Sequence, residues 1–299
     1  MPSSESPRLT DLSAAASPTQ SLFHASFNCL WCGRPYATRT PDDLEGWAQL
    51  CSECVGRAQD NEFLRYRLRD GLARRSAATQ RRADEDRVMK EYYAARATEY
   101  DDFYLGLGRP PLELARWNAD LDEATLWLDA LPFHGEIVEL AAGTGWWSPL
   151  LAQKGELWLY DVSNEVLERA RDRLLAHGLR AHIHIRDAYA EPDRQVDALF
   201  CGGWLSHVLE HRLDEFLATC HRWLKPTGLF AFIDEAPVES GTPIVDGRQL
   251  RRLRDGREFQ VPKIYYEPER LRNALEAAGF GAVEIRTTSR YFVLGRATA

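Results

Sequence analysis

The chain has 299 residues, 44% of them hydrophobic and 27% charged, with a formal net charge of -8. That length allows one full catalytic domain plus a smaller module, and the negative balance excludes a surface that binds polyanions throughout, leaving only a local basic patch for that purpose. No run approaches the roughly 20 apolar residues that a membrane span needs, and the opening stretch lacks the apolar centre of a signal peptide, so a cytoplasmic protein is expected.

Residues 1–22 are rich in Ser, Pro and Ala without periodicity, the composition of a disordered tail. Residues 23–57 follow with Cys29, Cys32, Cys51 and Cys54 in the spacing C-x2-C-x18-C-x2-C. Two close thiol pairs at that distance supply the four corners of a tetrahedral site, which predicts a zinc ribbon. So short a module has too little core to fold unaided, so the metal would be structural. Residues 58–120 read as a helical connector and cofactor-capping helices, charged and, over residues 58–104, almost free of Gly and Pro. Its first half, "RYRLRDGLARRSAATQRR", sets seven arginines against the single acid Asp70. A solvated helix and an RNA-binding helix are both compatible with that run, and the ribbon's own Asp42, Asp43, Glu45 and Glu53 count against RNA.

From about residue 121 short apolar runs alternate with amphipathic helices, the pattern of a parallel sheet with crossover helices. The strands are read as "EIVEL", "LWLYD", "HIHIR", "DALFC" and "LFAFID". Ser163 is placed as the N-cap and Gly178 as the stop of the helix after the second strand. Asp255-Gly256 marks a hairpin turn. A helix from Pro268 and two closing strands, "GAVEIRTT" and "RYFVLGRA", complete the chain.

Between the first strand and its helix lies "ELAAGTGWW", Glu139 to Trp147. Glycine there lets a ligand approach the backbone. A dinucleotide fingerprint would place a third glycine where Ser148 stands, and two tryptophans crowd the gap, so a diphosphate fits poorly. The two carboxylates Glu139 and Asp161 instead suit a ligand with an ammonium group and a ribose diol.

Taken in order, "VELAAGTG", "LYDVSNEVLERAR", "IRDAYA" and "VDALFCGGWLSHV" resemble the successive motifs of class I S-adenosylmethionine (SAM)-dependent methyltransferases, from roughly Tyr92 to the C-terminus. The resemblance implies an α/β fold with a Rossmann-like seven-stranded methyltransferase sheet whose last strand inserts antiparallel, over residues 121–299. It implies that Glu139, Ala141, Gly143 and Gly145 shape the methionine end of a SAM site, that Asp161 holds the ribose, that Asp187 and Ala188 lie by the adenine, and that Val162 is a further cofactor contact. It also implies a cofactor-capping helix at "EYYAARATEYDDFY", with Tyr93 and Tyr100 as contacts, and places Gly203 near the methyl group.

His207, just beyond the fourth strand, is the best-placed general base if the acceptor must lose a proton; the competing reading is a residue that caps the next helix or packs on Trp204. The expected function is methyl transfer to oxygen or nitrogen of a small molecule in an enclosed pocket. Two alternatives stand beside it. One is an RNA base methyltransferase gripping its substrate through the zinc ribbon, and the other is a SAM-binding sensor that docks a protein partner.

Overall fold

The computed structural model describes residues 26–29, 32, 34–37, 51–58, 62–236, 244, 245 and 247–299. The predicted tail, the acids Asp42, Asp43 and Glu45, and the side chains of most of the arginine run lie outside the described residues. The chain divides into two compact units, residues 1–81 and 82–299, and the division falls inside the predicted connector.

In the first unit, β1 (Ser26–Asn28) and β2 (Pro35–Ala37) pair antiparallel, and α1 (Ser52–Ala58) follows. The long helix α2 (Glu62–Arg96) contains the boundary between the units. Among the described residues, no helix is long and apolar enough to cross a membrane.

The second unit is organised by one seven-stranded sheet. Helix α3 (Pro111–Ala130) precedes β3 (Glu136–Leu140). Then come α4 (Ser148–Ala152), β4 (Glu156–Asp161), α5 (Asn164–Ala176), β5 (His182–Ile185) and β6 (Val196–Gly202). Helix α6 (Glu210–Trp223) leads into β7 (Leu224–Glu235). Four of the five residues of β3 are buried, as a strand covered on both faces requires. In α6 the buried Leu213, Phe216, Leu217, Cys220 and Trp223 follow the three-and-four spacing of a helix laid on a sheet.

The sheet order is β11, β12, β7, β6, β3, β4, β5, where β11 is Gly281–Thr287 and β12 is Phe292–Thr298. Strands β5, β4, β3, β6 and β7 run parallel, and β12 inserts antiparallel between β7 and β11. The expected sheet is thus present with its inverted last strand. Strands β8 (Ile244–Val245), β9 (Arg248–Arg252) and β10 (Glu258–Pro262) form a separate three-stranded sheet, with the predicted turn at Asp255 and Gly256 between the last two. Helix α7 (Pro268–Ala277) follows it.

One capping expectation fails in its detail. Ser163 stands at the N-cap of α5 without a capping bond, because its hydroxyl donates to Glu165 at 2.7 Å. Gly178 stops the helix in the left-handed region, at φ 71.

Candidate functional site

Parallel strands end together, and the loops beyond their carboxyl ends enclose a cavity of about 760 Å³. Its floor comes from the loop after β3, where Ala141, Gly143 and Gly145 all take positive φ angles of 51, 55 and 70. Gly143 is required by close approach: a Cβ there would stand 2.9 Å from the Tyr100 hydroxyl. Gly145 faces the other way, where a Cβ would meet the Ala170 Cβ on α5 at 2.8 Å.

Ten of the residues expected at the cofactor or the methyl group line this one cavity. They are Tyr93, Tyr100, Ala141, Gly143, Asp161 and Val162, together with Asp187, Ala188, Gly203 and His207. Glu139 and Gly145 are not on its wall. Glu139 is buried beneath the loop, where its Oε2 accepts the Ser148 hydroxyl at 2.5 Å. Burial, against that hydrogen bond, raises its carboxyl to about 8.

Asp161 is fixed before any ligand arrives. Its Oδ2 accepts the Gly143 N–H and its Oδ1 the Ser163 N–H, both at 2.9 Å. Burial lifts this carboxyl to about 6, although the backbone donors pull it down. Each oxygen keeps a further lone pair, so the group can still accept a vicinal diol.

His207 ends the short turn Leu205–His207. Its Nδ1 lies 2.7 Å from the Pro262 carbonyl, an acceptor only, so Nδ1 carries the proton. Nε2 is then an acceptor, and it receives the Tyr93 hydroxyl at 2.7 Å. Burial, then the charge of Lys263, lowers the His207 pKa to about 3, against the bond to Pro262. Burial, then Tyr100, keeps Tyr93 a phenol.

Several site residues escaped sequence reasoning. Thr144 donates to Asp101 at 2.6 Å, and Arg173 reaches both the Thr144 carbonyl at 2.7 Å and Asp101 at 2.5 Å, which ties the glycine loop to the capping segment. Arg212 pairs with Asp86 at 2.5 Å and Arg248 with Glu85 at 2.6 Å, fastening the C-terminal part of α2 over the cavity. The pairs Arg173–Asp101, Arg212–Asp86 and Arg248–Glu85 join residues more than 70 apart, and no local pattern marks them. On the cavity wall Glu85 Oε2, Arg186 Nε and Trp204 Nε1 are buried without a hydrogen-bond partner among the described residues. Orphaned polar atoms of this kind fit a polar ligand.

Two histidines on β5 serve packing: His182 stacks on Trp158 at 4.0 Å and pairs with Glu156. Tyr266 donates to the Val208 carbonyl at 2.7 Å from a buried position, so it packs rather than lining the cavity.

In the other unit the sulfurs of Cys29, Cys32, Cys51 and Cys54 lie within 4.8 Å of one another. The Cys51 N–H donates to the Cys29 sulfur at 3.3 Å, and Cys32 and Cys51 are 3.8 Å apart. Among the described residues this is the one cluster of three or more metal-ligating side chains.

The family model for the methyltransferase domain matches residues 137–228. The chain is 32% identical over 164 residues to dimethylglycine N-methyltransferase of Parasynechococcus marenigrum (strain WH8102), covering 51% of this chain and 59% of that protein. It is 30% identical over 137 residues to the ubiquinone/menaquinone biosynthesis C-methyltransferase UbiE of Vibrio cholerae serotype O1 (strain ATCC 39541 / Classical Ogawa 395 / O395), covering 43% of this chain and 49% of that one. The chain thus spans about half the length of these curated relatives. Among solved structures, DhpI in its complex with SAM and HEP superposes with a TM-score of 0.59 at 28% identity, over 71% of this chain and 97% of that one. Residues 137–228 thus match a methyltransferase-domain model, and the chain shares its fold with the SAM-bound DhpI structure.

Proposed function

We propose that this domain binds SAM and transfers its methyl group to a small molecule. The observation that carries the reading is Asp161. A buried carboxylate is held by two backbone amides at the floor of the cavity, beside a loop whose glycine admits Tyr100 but no side chain. When bound, SAM supplies an electrophilic methyl group on a sulfonium. Asp161 accepts the ribose hydroxyls, Val162, Asp187 and Ala188 flank the adenine, and Ala141 and Gly143 present backbone to the methionine end. Glu139 supports that end from beneath, as a buried acid rather than a direct contact. Tyr93, Tyr100 and Gly203 border the space where the acceptor meets the methyl group. An in-line displacement asks mainly for alignment and exclusion of water, which these walls provide.

His207 serves this geometry best as a positioning residue. A base whose conjugate acid has a pKa near 3 removes protons weakly at neutral pH. Its neutral Nε2 instead fixes the Tyr93 hydroxyl, whose oxygen lone pairs are left for the acceptor. The relatives named above include an N- and a C-methyltransferase.

We further propose that Cys29, Cys32, Cys51 and Cys54 hold a structural zinc ion. Tetrahedral coordination at roughly 2.3 Å separates sulfurs by roughly 3.8 Å, the distance between Cys32 and Cys51. The N–H bond to Cys29 suits a thiolate ligand.

The test supplies purified protein with methyl-labelled SAM and two fractions of cell extract, small molecules and total RNA. Label in the small-molecule fraction is expected. Label in RNA would replace this reading with base methylation, and label in neither, with SAM bound, would leave a sensor.

A further inference from the structure

Behind the wall that carries His207 lies a buried charge that the methyl-transfer geometry leaves unused. Lys263 follows β10 directly, and it is 0% exposed. Its ammonium donates to the Glu235 carboxylate at the end of β7 at 2.5 Å, and to the Ser206 hydroxyl at 2.9 Å. Ser206 precedes His207 in the turn Leu205–His207. One cation thus ties three elements: the small sheet it extends, the central sheet, and the turn that presents His207 to the cavity.

Backbone bonds run beside these contacts. The Lys263 N–H donates to the Gly247 carbonyl at 2.8 Å, and the Ile264 N–H donates to the Ser206 carbonyl at 2.7 Å. Asp234 accepts the Ser206 N–H at 3.0 Å. Pro262, on the other side of Lys263, offers the carbonyl that His207 Nδ1 reaches at 2.7 Å. The two segments therefore meet in register, Pro262 against His207 and Lys263 with Ile264 against Ser206. A buried ion pair adds little net stability, because desolvation offsets most of its attraction. What it supplies here is direction. The titratable groups that act on His207 are Tyr93 from α2, Glu235 from β7, Arg251 from β9 and Lys263. Against its burial, Lys263 and then Arg251 hold the Glu235 carboxyl down at about 2. Without Lys263, a carboxylate left unpaired behind the turn would favour the imidazolium form of His207. An imidazolium donates from both nitrogens. Its Nε2 could no longer accept the Tyr93 hydroxyl, which would then turn its hydrogen away from the ring.

We propose that Lys263 is a positioning residue of this site: by clasping Ser206 and engaging Glu235 it keeps the hydrogen bond directed from Tyr93 to His207, so that the Tyr93 oxygen offers its lone pairs to an N–H or O–H of the methyl acceptor. This deepens the methyltransferase reading above and rests on it for the word acceptor. Lys263 touches neither cofactor nor acceptor. It acts through the Ser206–His207 turn, and Tyr93 and His207 are the groups that reach the cavity.

The test records nitrogen-15 spectra of the His207 ring in the full-length protein between about pH 5 and 7, the range in which an ordinary histidine titrates. The wild-type ring should stay neutral throughout, with its proton on Nδ1. In Lys263→Met it should take up a second proton within that range, and in Lys263→Met/Glu235→Gln, which removes the stranded carboxylate as well, it should be neutral again. A ring that stays neutral in Lys263→Met, or charged in the double variant, overturns the proposal. Should Lys263→Met not fold, Ser206→Ala decides, because it keeps the ion pair and removes only the clasp. A second tautomer, protonated at Nε2, is then expected, and a spectrum identical to that of the wild type overturns the proposal. Calorimetry with SAH is read separately: failure to bind SAH would sink the methyltransferase reading, whereas the His207 spectra of SAH-free protein bear on Lys263 alone.

Discussion

The two units of this chain solve the problem of folding by opposite means. In residues 82–299 a seven-stranded sheet buries continuous apolar strands beneath helices. Residues 26–58 offer two three-residue strands, a seven-residue helix and four converging sulfurs. The larger unit carries its stability in area removed from water, whereas on the zinc proposal the smaller would draw it from the bonds its thiolates make to a metal. The difference teaches where each is vulnerable: one to cavities and buried charge, the other to chelation.

The largest effect follows from that contrast. Removing zinc with a chelator, or Cys51→Ser, should cost the first unit on the order of 10 kcal/mol and unfold it. Hydrogen exchange on the full chain should then show residues 26–58 unprotected while residues 137–228 keep their protection. Equal loss in both units would contradict the division.

Next in size is the buried acid beneath the loop. Burial pushes the Glu139 carboxyl up to about 8 in the folded protein, from about 4.5 for an ordinary glutamate, so the folded state holds its proton where the unfolded state has released it. Its contribution is therefore a destabilisation that begins as pH rises through about 4.5 and is complete above about 8. At pH 7 the difference corresponds to about 3 kcal/mol. Glu139→Gln should raise the melting temperature at pH 7 and leave it nearly unchanged at pH 4. A gain that is independent of pH would assign the effect to packing.

His207→Ala should lower turnover by roughly tenfold to a hundredfold, comparable to loss of a positioned group, with SAM affinity little changed. Nitrogen-15 NMR should show this ring uncharged and protonated at Nδ1 down to about pH 4, because its folded pKa lies far below the ordinary histidine value. A ring that charges near pH 6.5 would restore the general-base reading. The smallest effect is expected at Thr144→Val, which removes the hydroxyl bond to Asp101 and should cost about 1 kcal/mol.

Much of this architecture was legible in the sequence, for identifiable reasons. Apolar runs such as "EIVEL" mark strands covered on both faces, and the Asp255-Gly256 pair marks its turn, because both signals are local. The positions of Asp161, Gly143 and Asp187 follow from the motif order, and the fold brings them to one cavity. Side-chain direction was not legible. Glu139 turns beneath its loop instead of into the cavity, and Ser163 spends its hydroxyl on Glu165 rather than on the helix it precedes. Nor was the pairing of Arg212 with Asp86, 126 residues away, since only the folded chain brings them together. The tautomer of His207 likewise depends on a carbonyl 55 residues distant.

The most direct measurement is calorimetric titration of SAM into the wild-type protein and into Asp161→Ala. The account predicts stoichiometric binding to the wild type, weakened by at least an order of magnitude in the variant, since a charge-assisted bond to a buried carboxylate is worth roughly 1.5 to 3 kcal/mol. No binding to the wild type, or equal affinity in both proteins, would contradict it.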